Sequence, residues 1–128
     1  MLLVAPDNAI LHNPCRPDFI IYRTDIEEMF ALMYEYRGLG LAAPQVGINA
    51  RLFVTNWGEI FINPGIVELY EPRSAVESCL SLPGVQVTVQ RWNQIRLADG
   101  RVYVGQQAIV IQHECDHLDG CLITDRKI

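Results

Sequence analysis

The side chains best equipped for chemistry stand in one run, Gln112-His113-Glu114-Cys115-Asp116-His117. On an α-helix each residue advances about 100°, so His113 and His117 project within about 40° of each other with Glu114 beside them, and Cys115 points away. That is the H-E-x-x-H geometry: two imidazoles bind one metal ion, and the glutamate reaches a water on the ion without itself being a ligand. Read as a mere polar stripe, the run would need solvent along its length. The preceding Ala108-Ile109-Val110-Ile111 is apolar all round, which marks a buried helix, and buried histidines need partners.

The run does not supply a third ligand. A histidine six residues after His117 would extend the motif and Gly120 fits that extension, but position 123 is isoleucine. A glutamate about twenty residues downstream would fall beyond Ile128. Asp119, Asp125, Cys15, Cys79, Cys115 and Cys121 remain. Cys79 is the natural choice, because an extended strand edge can approach the helix face from outside the helix, whereas Cys121 lies a turn past His117. His12, in an arm with no ligand spacing around it, reads as a surface histidine.

The elements that must position these groups follow from pattern. The 128 residues suit one domain, 1–128, with half the residues apolar and a fifth charged. A net charge of −5 without a Lys/Arg cluster argues against a nucleic-acid surface or electrostatic attachment to lipid. No apolar run reaches the length of a membrane span, and the N-terminus lacks the regions of a secretion signal, so the four cysteines are expected reduced and the chain cytoplasmic.

Met1 to Asp18, with Pro14 and Pro17, reads as an irregular arm. Thr24 and Glu27 form a capping-box pattern ahead of Ile26, Met29, Phe30 and Met33, predicting a helix to about Arg37 that Gly38 stops. The run Gly38 to Gly47 lacks the lysine of a phosphate loop and reads as backbone passing close to something, with Gln45 as its one hydrogen-bonding side chain. Strands are predicted over 51–56 and 59–62, joined through Asn56-Trp57-Gly58; extended structure over 66–70; a loop at 71–74; then extended runs at 75–84, 85–89, 94–98 and 101–104, the last two joined by Asp99-Gly100. The metal helix is predicted from near Gln106 to just past Leu118, with Gly120 near its C-terminal cap. The fold class is α+β: small antiparallel or mixed sheets packed around a central metal-binding helix, with one further N-terminal helix.

Gly38-Leu39-Gly40-Leu41-Ala42-Ala43-Pro44-Gln45, then Glu77-Ser78-Cys79-Leu80-Ser81, then Gln112-His113-Glu114-Cys115-Asp116-His117-Leu118-Asp119-Gly120 resemble the three ordered signatures of the peptide deformylases. The resemblance runs from the first helix nearly to the last residue. It implies a metal held by Cys79, His113 and His117 with solvent in the fourth position, Glu114 as general base and acid, and Gln45 with the Leu80 backbone N–H as the oxyanion pair. Leu39, Gly40 and Ser78 would pair with the substrate backbone as an added strand, and Ile109 and Val110 would line a methionine pocket. The implied reaction removes formyl from N-formylmethionyl nascent peptides and releases formate. A thiolate ligand makes ferrous iron plausible alongside zinc, and the resemblance implies Fe²⁺ as the ion, with Zn²⁺, Ni²⁺ or Co²⁺ as replacements.

Two features depart from the common bacterial pattern: Ser78 stands where glycine is usual, and the chain stops without the C-terminal helix that docks on the ribosome. The short form is similar to phage-encoded members, which would act in the host cytoplasm; any ribosome contact would be transient, and a monomer is expected with neither DNA nor membrane as partner. The competing readings are a small metallopeptidase and a non-catalytic module stapled by Cys79, His113, His117 and Cys121.

Overall fold

The structure, a computed structural model, describes residues 1–128. The arm is irregular apart from one 3₁₀ turn at Ala9–His12, where the His12 ring lies 3.0 Å from the Pro6 carbonyl. Helix α1 spans Arg23–Glu35. Its entry differs from expectation. Thr24 lies inside the helix, and it is the Asp25 carboxylate that accepts the Tyr22 N–H at 3.2 Å, so the cap is set two residues earlier. Its exit differs too. Arg37, not Gly38, takes the left-handed conformation at φ 55°, and the Arg37 and Gly38 N–H groups close back on Tyr34 and Met33. Gly38 is needed for another reason: a Cβ there would meet Leu80 Cδ1 at 2.9 Å.

Strands β1 (Gly40–Ala42), β2 (Leu52–Thr55) and β3 (Ile60–Ile62) form one antiparallel sheet in that order. Strands β4 (Ile66–Cys79), β5 (Leu82–Leu97) and β6 (Val102–Val104) form a second, also antiparallel. The loop expected at 71–74 is instead part of β4. Pro72 pairs opposite Trp92 and Glu71 adopts φ 60°, which an edge strand tolerates because no partner needs the missing N–H on its open side. The runs expected at 85–89 and 94–98 are likewise one strand, β5, in which the polar stretch between them is hydrogen-bonded to β4.

Helix α2 spans Gly105–Leu118 and packs chiefly on β5, with further contacts to β1 and β6. Ala108 and Ile111 enter the core that joins both sheets, with Ala42, Phe53, Phe61, Ile95, Leu97 and Tyr103. There the Phe53 and Phe61 rings stack at 4.7 Å, and Tyr103 meets Phe61 edge-on at 5.8 Å. A second core lies under α1, where Met29, Leu32 and Met33 cover Leu41, Leu52 and Val54. Burial of such side chains contributes about 1.5–3 kcal/mol each, which holds β1, and hence Gly40 and Gln45, against α2. Gly120, at φ 78°, ends the helix as expected. No helix is long and apolar enough to cross a membrane.

Candidate metal centre

The three expected ligands come from two elements. His113 and His117 sit one turn apart on α2, and Cys79 is the last residue of β4, just past a register shift at Ser78/Cys79 that turns the strand end toward the helix. One ligand atom from each of Cys79, His113 and His117 lies within 4.8 Å of the other two, and Cys79 Sγ stands 3.3 Å from His117 Nε2. A sulfur and two imidazoles are a donor set for a borderline or soft divalent ion, and three protein ligands leave a position for solvent. Cys121 is outside this cluster, and the Gly120 turn carries it away with its N–H on the Asp116 carbonyl at 2.8 Å. Cys115 packs against the core, and burial pushes its thiol up to about 12.

Two further observations fit a cation at this point. Burial works against a charged His113 ring, yet the Cys79 sulfur and Glu77 beside it raise its pKa to about 10, and a place that holds a proton so firmly favours a cation in its stead. Burial drives His117 the other way, well below its ordinary value, so that ring stays neutral and free to bind metal. Glu114, 3 % exposed, has an oxygen with no protein partner, which a buried carboxylate tolerates only beside bound solvent or a cation. Burial also pushes its carboxyl up to about 7, a value suited to exchanging a proton near neutrality.

What the glycine-rich run passes close to is this carboxylate: a Cβ on Gly40 would lie 2.8 Å from Glu114 Oε2. The chain then enters a 3₁₀ turn, Ala43–Val46, that aims the buried Gln45 at the centre. Gln45 Oε1 accepts the Ala42 N–H at 2.9 Å, which fixes the amide's orientation. Its Nε2 donates to Ser81 Oγ at 3.0 Å and lies 3.7 Å from Cys79 Sγ. Leu80 follows in the turn between β4 and β5, where no backbone carbonyl accepts its N–H.

A cleft of about 790 Å³ opens onto the centre. Leu39, Gly40, Ser78, Ile109 and Val110 all line it, as do Gln45, Cys79, Leu80, His113 and Glu114. Ser78 is exposed there, so its hydroxyl adds bulk at the cleft without touching the ligand set.

The sequence reading missed the support behind the ligands. His113 Nδ1 donates to Glu77 Oε1 at 2.8 Å, which turns Nε2 toward the metal position. Glu77 in turn receives two parallel bonds from Arg91, each 2.8 Å, and Arg91 gives a third to Asp116 at 2.7 Å. Burial alone would raise the Glu77 pKa; Arg91 and His113 overcome it and hold the carboxyl at about 2. The signal was present. Val87, Val89 and Arg91 alternate on one face of β5, and a charge in an inward position of a buried strand requires a counter-charge. Ser81, which anchors Gln45, had no such signal.

Residues 2–128 match the family model for polypeptide deformylase. Peptide deformylase 1 of Clostridium perfringens is 41 % identical over 95 % of this chain and 94 % of its own length. Among solved structures, the peptide deformylase of Thermotoga maritima superposes with a TM-score of 0.89 at 37 % identity, covering 99 % of this chain and 97 % of that one. A peptide deformylase from Synechococcus elongatus in complex with actinonin gives 0.88 at 34 % identity, over 100 % of this chain and 79 % of the other.

Proposed function

Because this chain belongs to the polypeptide deformylase family, we propose that Cys79, His113 and His117 hold one divalent ion and that the surrounding side chains carry out deformylation at it. The chain is a metal-dependent hydrolase that removes the N-formyl group from newly made peptides and releases formate. The observation that supports this assignment of residues best is the convergence of one thiol and two imidazoles beside a buried glutamate with an unpaired oxygen.

When bound, a divalent cation supplies Lewis acidity and lowers the pKa of a water toward neutrality. Glu114 takes the proton released by that water and later delivers it to the leaving amine nitrogen as the formyl C–N bond breaks. Gln45 Nε2–H and the Leu80 N–H donate to the carbonyl oxygen on which charge collects. Leu39, Gly40 and Ser78 align the peptide by backbone pairing, and Ile109 and Val110 take the first side chain. A thiolate with two imidazoles suits Fe²⁺, Zn²⁺, Ni²⁺ and Co²⁺ alike; Fe²⁺ is the ion we assign, as the resemblance to the family implies. All three ligands come from one chain, so the centre needs no second copy, and we assign residues 1–128 as one catalytic domain acting as a monomer on nascent chains in the cytoplasm.

The test is formate release from formyl-Met-Ala-Ser by iron- or nickel-loaded protein, with Glu114→Gln alongside. Turnover by the parent, and its loss in a variant that still binds one equivalent of metal, is expected. A folded, metal-replete parent that releases no formate would refute the reading.

A further inference from the structure

The cleft is not apolar to its end. On α2, Gln106, Ile109, Val110 and His113 stand at i, i+3, i+4 and i+7 and share one face, and all four line the cavity. Opposite them, alternation along β4 brings Arg73, Ala75 and Glu77 to one face, and the Glu77 bond to His113 identifies that face as the one turned toward α2. Near the metal centre the cleft is lined by the apolar Ile109 and Val110 from the helix and the small Ala75 from the strand. It is polar farther on, where the exposed Gln106 and Arg73 stand.

Length decides what this means. From His113 to Gln106 the helix axis advances about 10 Å, whereas a methionine side chain extends about 5 Å from its Cα. A thioether therefore fills the apolar half, and its far end points at unspent donors. Arg73 gives one N–H to Asn93 at 3.1 Å, and Asn93 also holds Glu71, which balances part of the charge but leaves the other guanidinium donors free.

We propose that this slot accepts a first residue whose side chain ends in a hydrogen-bond acceptor, so that N-formylmethionine sulfoxide is deformylated as well as N-formylmethionine. Gln106 and Arg73 are then specificity-determining residues that receive the sulfoxide oxygen. An apolar slot would strip that oxygen of water without replacement and reject it; two donors at the slot's end replace the lost hydration. The inference rests on the deformylase reading above.

The experiment measures kcat/KM of the metal-loaded enzyme on formyl-Met-Ala-Ser, on its sulfoxide form, and on the analogue with norleucine first. The sulfoxide is expected to be cleaved. Gln106→Leu should lower the sulfoxide-to-methionine ratio about fivefold, the equivalent of one hydrogen bond, and raise the norleucine-to-methionine ratio. Arg73→Gln should lower the sulfoxide ratio in the same direction. A sulfoxide peptide left intact while formyl-Met-Ala-Ser is cleaved, or a ratio that neither variant moves, overturns the inference alone. No turnover of any of the three overturns the deformylase reading and this inference with it.

Discussion

Replacing Arg91 by methionine tests whether the metal centre is held by the ion network behind it. The guanidinium is 4 % exposed and serves two carboxylates, Glu77 through two bonds of 2.8 Å and Asp116 through one of 2.7 Å. Arg91→Met leaves the buried Glu77 with only the His113 ring and the partly buried Asp116 with only Arg126, so a loss of about 3–4 kcal/mol is expected. Glu77→Gln is milder, because Asp116 still neutralises Arg91 and the amide keeps one acceptor oxygen; about 2–3 kcal/mol is expected. For a domain of this size 1 kcal/mol moves Tm by roughly 4 °C, so the two variants should melt about 15 °C and about 10 °C below the parent. The double variant should lose at least about 1 kcal/mol less than the sum, since the two side chains share one interaction. A second readout separates support of the metal from bulk stability. Glu77 orients the His113 ring, so Glu77→Gln should weaken metal affinity about 10- to 100-fold in a chelator competition. Arg91→Met costing less than Glu77→Gln, or both melting within about 2 °C of the parent, would refute the reasoning.

Gly40→Ala places a Cβ 2.8 Å from Glu114 Oε2 and 2.9 Å from its Cγ, so the glutamate must shift toward the cleft it lines. Displacement by about 1 Å should lower kcat about 10²-fold at a stability cost of no more than about 1–3 kcal/mol, and a variant with parental kcat would show that Glu114 is not the proton carrier. Gly120→Ala combines φ 78° with a contact of 2.6 Å to the Asn13 backbone, so a destabilisation of about 3 kcal/mol is expected from denaturant midpoints. Acid should act through Glu77, whose carboxyl titrates at about 2 in the fold against an ordinary 4.5. A depressed pKa stabilises above the unfolded value and that stability is lost as pH falls from 4.5 toward 2, amounting to about 3 kcal/mol. Urea midpoints of the parent should therefore fall more steeply between pH 5 and pH 2 than those of Glu77→Gln, and parallel slopes would count against this account.

The ligand helix was legible because its evidence is local: the spacing of His113 and His117, the apolar run before them and Gly120 after them all sit within a few turns. The hairpins at Asn56-Trp57-Gly58 and Asp99-Gly100 were legible for the same reason, each with its glycine at positive φ. What local pattern misjudged was extent. Pro72 and the polar stretch around Arg91 look like breaks, yet the first sits on an open edge and the second faces Glu77, so β4 and β5 continue through both. Gly38 looked like a helix stop because glycine usually fills that role; the close approach of Leu80, 38 to 80 along the chain, could not be seen from the segment itself.

At the proposed centre an open coordination position would be a consequence of how the chain runs rather than of which residues it contains. Four thiols are present, and a fourth ligand would be available if Cys121 could turn back toward His117. The fold prevents this at Gly120, whose left-handed backbone packs against Asn13 of the N-terminal arm while the Cys121 N–H closes on the Asp116 carbonyl, leaving Cys121 outside the cluster. On the other flank two residues at the end of β4 reach the histidines, Cys79 at the ligand cluster and Glu77 from behind through His113 Nδ1, while the strand before them forms the opposite wall of the cleft. The three proposed ligands and the gap beside them would thus follow from one helix stop and one strand edge. The same strand is an edge of its sheet, and under the proposed function an extended peptide would pair there with its formyl end at the metal position.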